Sequence, residues 1–176
     1  VCSSDLSRFI LGGNPFSGFA HQTTARSEEM LNYYTTARIK EEMYKAEKLG
    51  LSTFIGRADH HIMRVLREYW NEGGTLRWVA QTCPEVGTIQ RGARNAISGQ
   101  ASACYVHGGV MDNYFANDKL DLLPPAIDMV REAGIPVGIA GHNPEVFLWA
   151  DKHLDVDFYM CSYYNPSSRA HDPEHV

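Results

Sequence analysis

The sequence lacks the patterns that mark several large classes of protein. No apolar stretch of the 176-residue chain approaches the ~20 residues that a membrane-spanning helix needs. Lys and Arg total 16 against 21 Asp and Glu, the formal net charge is −5, and no basic cluster occurs. The N-terminus has no basic-then-apolar signal pattern, which favours the cytoplasm. We therefore expect a globular cytoplasmic protein whose partner is neither a membrane nor a nucleic acid, but a small molecule.

Signatures of tightly bound cofactors and metals are also missing. Neither GxGxxG nor GxxxxGK[ST] occurs, and the glycine-rich residues 12–18 resemble a phosphate-binding loop only superficially. The metal motifs HExxH and HxH are absent as well. Four cysteines are present and none forms a CxxC pair, so buried reduced thiols are expected rather than disulfides or zinc ligands. No single motif therefore identifies the chemistry.

What the sequence does contain is a regular alternation of short apolar runs and helical segments. Residues 135–166 show it best: an apolar run at 135–140, then Asn143 and Pro144, which suit the cap and first turn of a helix, then a second run at 156–162. Two buried runs joined by a helix form a βαβ unit, because parallel strands need such a crossover.

The same alternation extends along the whole chain. Strands are predicted at residues 8–11, 52–55, 76–80, 101–106, 135–140 and 156–162. Helices are predicted at 27–50, 62–69, 88–98, 120–133 and 144–154, with residues 108–119 as a loop. This rhythm predicts an α/β fold, a (β/α)8 TIM barrel present as a fragment of about six βα units. An open doubly wound sheet is the alternative, but its phosphate fingerprint is absent.

Both ends of the chain suggest that the natural protein differs from the sequence given. Residues 1–6, VCSSDL, resemble a translated sequencing-library adapter, and we expect them to be an artefact. The chain stops at Val176, shortly after a predicted strand and without a closing helix. We expect residues 7–176 to be a single-domain part of a longer barrel.

Polar residues follow nearly every predicted strand, where α/β enzymes place their sites. Three different strands are followed by histidine, which scattered surface residues would not produce. We predict that His107, Asp59 and Arg57 are catalytic. The residues predicted to bind substrate or cofactor are Asn14, Gln81, His142, Asn143, Tyr164 and Asn165.

Two kinds of chemistry fit these residues, and a structural explanation competes with both. His60 or His61 could join His107 and His142 around a divalent transition metal, as in a hydrolase, lyase or isomerase. Alternatively, His107 acts as an acid/base or orients a carbonyl, while Arg57 holds an anionic substrate. In the structural explanation, Asp59 is simply the N-cap of a helix that has the two histidines on its first turn, and the barrel is non-catalytic.

Two stretches resemble the aldo-keto reductase barrels. REAGIPVGIAGHNPEVFLWA is similar to that family's helix and "GVSNF" strand-loop region, and DVDFYMCSYYNP is similar to its strand ending in "YNP". His107, at the end of YVH, matches the histidine after the family's fourth strand. The resemblance covers residues 8–166 and implies a TIM barrel, an oxidoreductase activity and NADP as cofactor.

The sequence departs from that family at the other catalytic positions. The family's second strand ends in Asp-Thr-Ala followed by a catalytic tyrosine, whereas here Arg57, Ala58 and Asp59 follow Gly56. Gln81 or Thr82 replaces the family's lysine after the third strand. The resemblance therefore implies an altered active site in which Arg57 or Asp59 replaces the lost groups.

Overall fold

The structure is a computed structural model that describes residues 6–162. The predicted site residues Tyr164 and Asn165 lie outside the described residues. The strands in this range are β1 (Leu11–Gly12), β2 (Thr53–Arg57), β3 (Arg77–Gln81), β4 (Ala103–Val106), β5 (Val137–Gly141) and β6 (Phe158–Cys161). The helices are α1 (Thr24–Tyr33), α2 (Thr36–Lys48), α3 (His60–Asn71), α4 (Ile89–Ser98), α5 (Gly108–Ala116), α6 (Pro124–Glu132) and α7 (Pro144–His153). Short 3-10 turns lie at Pro15–Ser17, Pro84–Val86 and Leu120–Leu122.

The strands form a parallel sheet in chain order, β1-β2-β3-β4-β5-β6. In the register, Leu11 pairs with Phe54 in the first strand pair, and Val106 of β4 pairs with Ile139 of β5. Every strand is followed by at least one helix or turn before the next strand begins. Parallel strands in chain order with intervening helices are the arrangement of a (β/α) barrel, so the predicted fold class is confirmed.

The chain divides into two compact units, which are described separately. The N-terminal unit holds residues up to Gly56 together with Arg64–Arg77, and so contains β1, α1, α2 and most of β2 and α3. The site unit holds Arg57–Met63 and the chain from Trp78 to the end of the described part. It contains most of β3, all of β4–β6 and helices α4–α7.

Each unit has an apolar interior of its own. In the N-terminal unit, Phe16 stacks on Phe54 with ring centroids 5.9 Å apart, and Ile39 and Met43 of α2 are fully buried. In the site unit, the most completely buried large side chains are Ile62, Trp78, Tyr105, Met111, Leu123 and Ile139. All residues of β4 and β5 are buried, as expected for central parallel strands covered by helices on their outer face.

The helical region predicted at residues 27–50 is in fact two helices, and the sequence contains the reason. The tetrapeptide TTAR occurs at 23–26 and again at 35–38. In each copy the first threonine is the N-cap: its hydroxyl accepts the backbone N–H of Arg26 in one case and of Arg38 in the other. A second capping threonine therefore starts α2 two residues after α1 ends.

The prediction of a loop at residues 108–119 was wrong, because helix α5 occupies Gly108–Ala116. Gly108 and Gly109 suggested a break, but they lie in the first turn of the helix. There His107 is the N-cap residue and its ring accepts the N–H of Gly109. Within residues 6–162, no helix has both the length and the apolar character needed to cross a bilayer.

Candidate functional site

At the end of β2, a buried guanidinium is held between two carboxylates. Arg57 is only 7% exposed; its Nε donates to Asp59 at 2.9 Å and its NH2 group donates to Glu85 at 2.8 Å. Glu85 lies on the short turn Pro84–Val86 that follows β3, so this cluster joins the loops after two neighbouring strands. A buried charge is tolerated only when it is paired in this way.

The pKa of Arg57 is raised and the pKa of Glu85 is lowered, as expected when the two groups form an ion pair. Burial alone would lower the pKa of Arg57, but its hydrogen bonds to Glu85 and Asp59, together with nearby negative charge, outweigh burial and raise that pKa. Burial alone would raise the pKa of Glu85, but the hydrogen bond from Arg57, a backbone hydrogen bond and nearby positive charge together outweigh burial and lower that pKa. Both groups therefore stay charged at neutral pH, and each satisfies the other.

Asp59 also begins helix α3. Its second carboxylate oxygen accepts the backbone N–H of Ile62 at 2.9 Å, which is the hydrogen bond of an N-cap residue. His60 and His61 occupy the first turn of the helix and are exposed. This is the arrangement that the structural explanation predicted for these three residues.

His107 follows β4 and is fixed by two hydrogen bonds. Its backbone N–H donates to the hydroxyl of Thr82 at 3.1 Å, and its ring Nδ1 accepts the N–H of Gly109 at 3.1 Å. A ring nitrogen that accepts a backbone N–H carries no proton. A neutral His107 therefore has its proton on Nε2, where it is a hydrogen-bond donor.

Gln81 and Thr82, at the end of β3, each have a hydrogen-bond partner on or just after β4. Thr82 is 3% exposed and lies next to Gln81, the last residue of the strand. Burial raises the pKa of the Tyr105 hydroxyl, while its hydrogen bond with Gln81 opposes that rise. Gln81, predicted to bind substrate or cofactor, thus has an internal partner on the neighbouring strand β4.

His142, which follows β5, is bound by a carboxylate that the sequence analysis did not select. Its ring Nδ1 lies 2.7 Å from Oδ2 of Asp112, and its backbone N–H donates to both oxygens of the same carboxylate at 3.1 and 3.2 Å. The backbone N–H of Asn143 donates to Asp112 as well, at 3.3 Å. Asp112 lies on α5, so this contact joins the fourth βα unit to the fifth.

Asn143 has the structural role that its position before Pro144 suggested. Its side-chain oxygen accepts the backbone N–H of Glu145 at 3.0 Å, which caps helix α7. Its contact with a substrate or cofactor remains a prediction.

The two glycines that begin α5 make room for the two imidazole rings. A Cβ atom added at Gly108 would lie 3.1 Å from Cε1 of His142 and 3.3 Å from the backbone N of Gly141. A Cβ atom added at Gly109 would lie 3.1 Å from Cε1 of His107. Both rings therefore pack against the first turn of the same helix.

A cavity of about 390 Å³ lies beside His107 in the site unit. Its polar lining residues are Thr82, Cys83, His107, Asn113 and Tyr114, and its larger apolar ones are Pro84, Ile89 and Val110. Burial raises the pKa of the Cys83 thiol to about 11, so Cys83 is a neutral thiol at physiological pH rather than a nucleophilic thiolate. The cavity is large enough for a small metabolite and has no lining residue with a fixed charge.

The remaining predicted residues lie elsewhere or stay untested. Asn14 belongs to the N-terminal unit, where its side chain bonds His21 at 3.0 Å. In the part of the chain that the structure describes, no three His, Cys, Asp or Glu side chains form a group that could hold a metal ion. His60, His61, His107 and His142 therefore do not assemble into the metal site that one prediction placed there.

Two residues that pair with predicted site residues, Glu85 with Arg57 and Asp112 with His142, were missed by the sequence analysis. Glu85 lies four residues after the end of β3, and only residues nearer to that strand end were selected. Asp112 lies in a segment that was predicted to be a loop. If α5 had been predicted, Asp112, one turn after Gly108, would have been expected at the same end of the sheet as His107.

No family model matches the sequence, and no curated protein is detectably similar to it. A solved structure from Coccidioides immitis, assigned as a deoxyribose-phosphate aldolase, is similar with a TM-score of 0.54 and 14% identity, over 74% of this chain and 56% of that one. A xylose isomerase-like TIM barrel protein from Mycobacterium smegmatis, in complex with magnesium, has a TM-score of 0.49 and 12% identity, over 75% of this chain and 56% of that one.

These comparisons establish the fold and nothing finer. The chain spans 56% of the length of each of these two structures. Its strand order and its similarity to the first of them show the TIM-barrel fold, with about six of its βα units. Neither of these two structures is described as an aldo-keto reductase, so that resemblance remains a prediction.

Proposed function

We propose that the protein is a cytoplasmic TIM-barrel enzyme that acts on a small polar metabolite, and that His107 polarises a carbonyl group of that metabolite. The observation that carries this proposal is the hydrogen bond from the Gly109 N–H to Nδ1 of His107, beside the cavity. It holds a neutral imidazole with Nε2–H as the donor. Such a donor stabilises the negative charge that develops on a carbonyl oxygen during proton transfer or addition.

The cavity favours an uncharged substrate. Arg57 was expected to hold an anionic group, but its guanidinium is already bound by Asp59 and Glu85. The cavity lining supplies hydroxyl and amide groups from Thr82, Tyr114 and Asn113 instead. A hydroxycarbonyl compound, such as a short sugar without a phosphate, matches hydrogen-bonding groups without a fixed charge.

Proton transfer next to the carbonyl, as in an isomerase or a lyase, is the reaction class that these residues support best. The tyrosine that donates the proton in aldo-keto reductases and the lysine that assists it are absent after β2 and β3. The assignment of one similar structure as an aldolase is compatible with this class.

The test is deuterium exchange into a carbonyl compound. The full protein is incubated in D2O with hydroxyacetone, dihydroxyacetone or glyceraldehyde, and the loss of the proton signal next to the carbonyl is followed by NMR. We expect His107→Asn to slow exchange at least about a hundredfold, the usual effect of removing such a donor. Asn keeps an acceptor for the Gly109 N–H but has no donor at the position of Nε2.

Two further variants make this test specific. His107→Gln places an amide N–H near the position of Nε2 and should retain more exchange than His107→Asn. His61→Asn changes an exposed histidine on α3 and should exchange like the wild type. The proposal is wrong if the wild type exchanges none of the three compounds, or if His107→Asn exchanges as fast as the wild type.

An aldo-keto reductase-like oxidoreductase is the second candidate, and one contact favours it. Tyr114 lines the same cavity as His107 and supplies a phenol, the group that the altered tetrad lacks after β2. NADP is the cofactor that this resemblance implies. Oxidation of NADPH in the presence of the same carbonyl compounds, and its loss in Tyr114→Phe, would favour this candidate over proton transfer alone.

A further inference from the structure

The end of β5 carries a second imidazole whose proton position is also fixed, and in the opposite sense to that of His107. The ionised carboxylate of Asp112 only accepts hydrogen bonds, and it lies 2.7 Å from Nδ1 of His142. Nδ1 of His142 must therefore carry a proton. In the neutral ring, Nε2 then has a lone pair and is a base.

Asp112 is placed to hold this tautomer firmly. Its two oxygens accept the backbone N–H groups of His142 and Asn143 in addition to the ring N–H, so one carboxylate fixes both the loop and the ring. The side chains of His142 and Asp112 are 35% and 26% exposed, so the pair is only partly shielded from solvent. A carboxylate that accepts an imidazole N–H in this way fixes the tautomer and the orientation of the ring.

The two imidazoles lie at the same end of adjacent strands. Val106 of β4 pairs with Ile139 of β5; His107 follows the first directly, and His142 follows the second by three residues. Gly108, between them on α5, has no side chain to separate the His142 ring from the first turn of the helix. Both rings thus lie against the first turn of α5, and Gly109 of that turn lines the cavity together with His107.

From this geometry we propose that His142 is the general base of the site and that Asp112 is its positioning residue. This inference rests on the proposed carbonyl chemistry. Nε2 of His142 takes a proton from the carbon next to the carbonyl; that C–H bond breaks, and its electron pair forms the C=C bond of an enolate. The enolate oxygen accepts a hydrogen bond from Nε2–H of His107. Return of the proton to a carbon completes an isomerisation or an exchange.

Asp112→Asn is the sharpest test, because it keeps the shape and inverts the tautomer. An amide N–H facing Nδ1 would make that nitrogen an acceptor and move the ring proton to Nε2, which removes the base. We expect deuterium exchange into the compound that the wild type processes to fall at least about a hundredfold, mainly in kcat rather than KM. Two-bond proton–nitrogen correlation spectra of the imidazole rings should show His142 protonated at Nδ1 in the wild type and at Nε2 in Asp112→Asn.

His142→Asn is the second variant, and it guards against a folding defect in the first. Its amide N–H can still donate to Asp112, but the position of Nε2 is empty, so the same loss of exchange is expected. A purely structural role for Asp112 would lower the thermal midpoint and leave exchange per folded molecule unchanged.

The outcomes separate this inference from the proposed function. If the wild type exchanges protons and His107→Asn does not, while Asp112→Asn and His142→Asn exchange normally, only the assignment of the base is wrong. A wild-type spectrum with His142 protonated at Nε2 overturns that assignment as well. If the wild type exchanges none of the three compounds, the proposed function and this inference are both wrong.

Discussion

The polar cluster at the end of β2 and the pair of imidazoles at the ends of β4 and β5 differ in how their hydrogen bonds are used. Around Arg57, a cation and two carboxylates satisfy one another, and one of these carboxylates also caps a helix. Around His107 and His142, a partner fixes one nitrogen of each ring and thereby defines the proton on the other. The first cluster pairs charges within the protein, whereas in the function proposed above the second provides a hydrogen-bond donor and a base for proton transfer. Position at a strand end is therefore not enough to identify a catalytic residue.

The largest effect on stability is expected from Arg57→Leu. The substitution leaves Asp59 and Glu85 without their shared cation beside a buried site, and breaking such a pair costs about 3 kcal/mol of unfolding free energy. Arg91→Leu, at an exposed position on α4, should change the unfolding free energy by less than about 0.5 kcal/mol. Urea denaturation of both variants measures the difference. If both variants lose the same unfolding free energy, the ion pairs of Arg57 do not stabilise the fold.

Unlike Arg57→Leu, Gly108→Ala should have a small effect on the unfolding free energy and a larger effect on the rate of deuterium exchange. The added Cβ lies close to Cε1 of His142 and to the backbone of Gly141, so the ring must move. A displaced base costs about tenfold or more in rate. The unfolding free energy should change by less than about 1 kcal/mol, because alanine is also the better helix former. Ala116→Ser, at the exposed end of the same helix, is the control, and its exchange rate should match the wild type.

The smallest effect is the pH dependence contributed by Glu85. Because its pKa is lowered in the folded protein, its stabilisation is present above the unfolded pKa and is lost as the pH falls through the folded value. The side chain is 54% exposed, so this contribution is below about 1 kcal/mol. Glu85→Gln should therefore lose less stability than the wild type on acidification below about pH 5.

The order of strands and helices could be predicted from the sequence because apolar runs and capping residues repeat along the chain. Each predicted strand overlaps an observed one, although the strand predicted at residues 8–11 shares only Leu11 with β1. That strand is only two residues long, so no periodic pattern marks it. Helix α5 was missed because Gly108 and Gly109 suggested a turn. Whether glycines end a helix or begin one depends on what packs against them, here two imidazole rings.

The positions of the candidate site residues could be predicted in part, but their hydrogen-bond partners could not. His107 and His142 were selected from their places after strands, and the structure places both at one helix start. The sequence could not show that Arg57 is neutralised by Glu85 or that Asp112 fixes His142, because the residues in each pair are 28 and 30 positions apart. Such contacts depend on how neighbouring βα loops approach one another.

Gly92 shows how far the influence of a tight contact can extend. A Cβ atom added at this position of α4 would lie 2.9 Å from Cβ of Thr82, whose hydroxyl holds the backbone of His107. In a saturation mutagenesis screen, Gly92 would therefore score as intolerant for activity although it is not among the residues that line the cavity beside His107 and carries no reactive group. A design that introduces a new reaction into this barrel should therefore leave Gly92, Thr82 and His107 unchanged as a set.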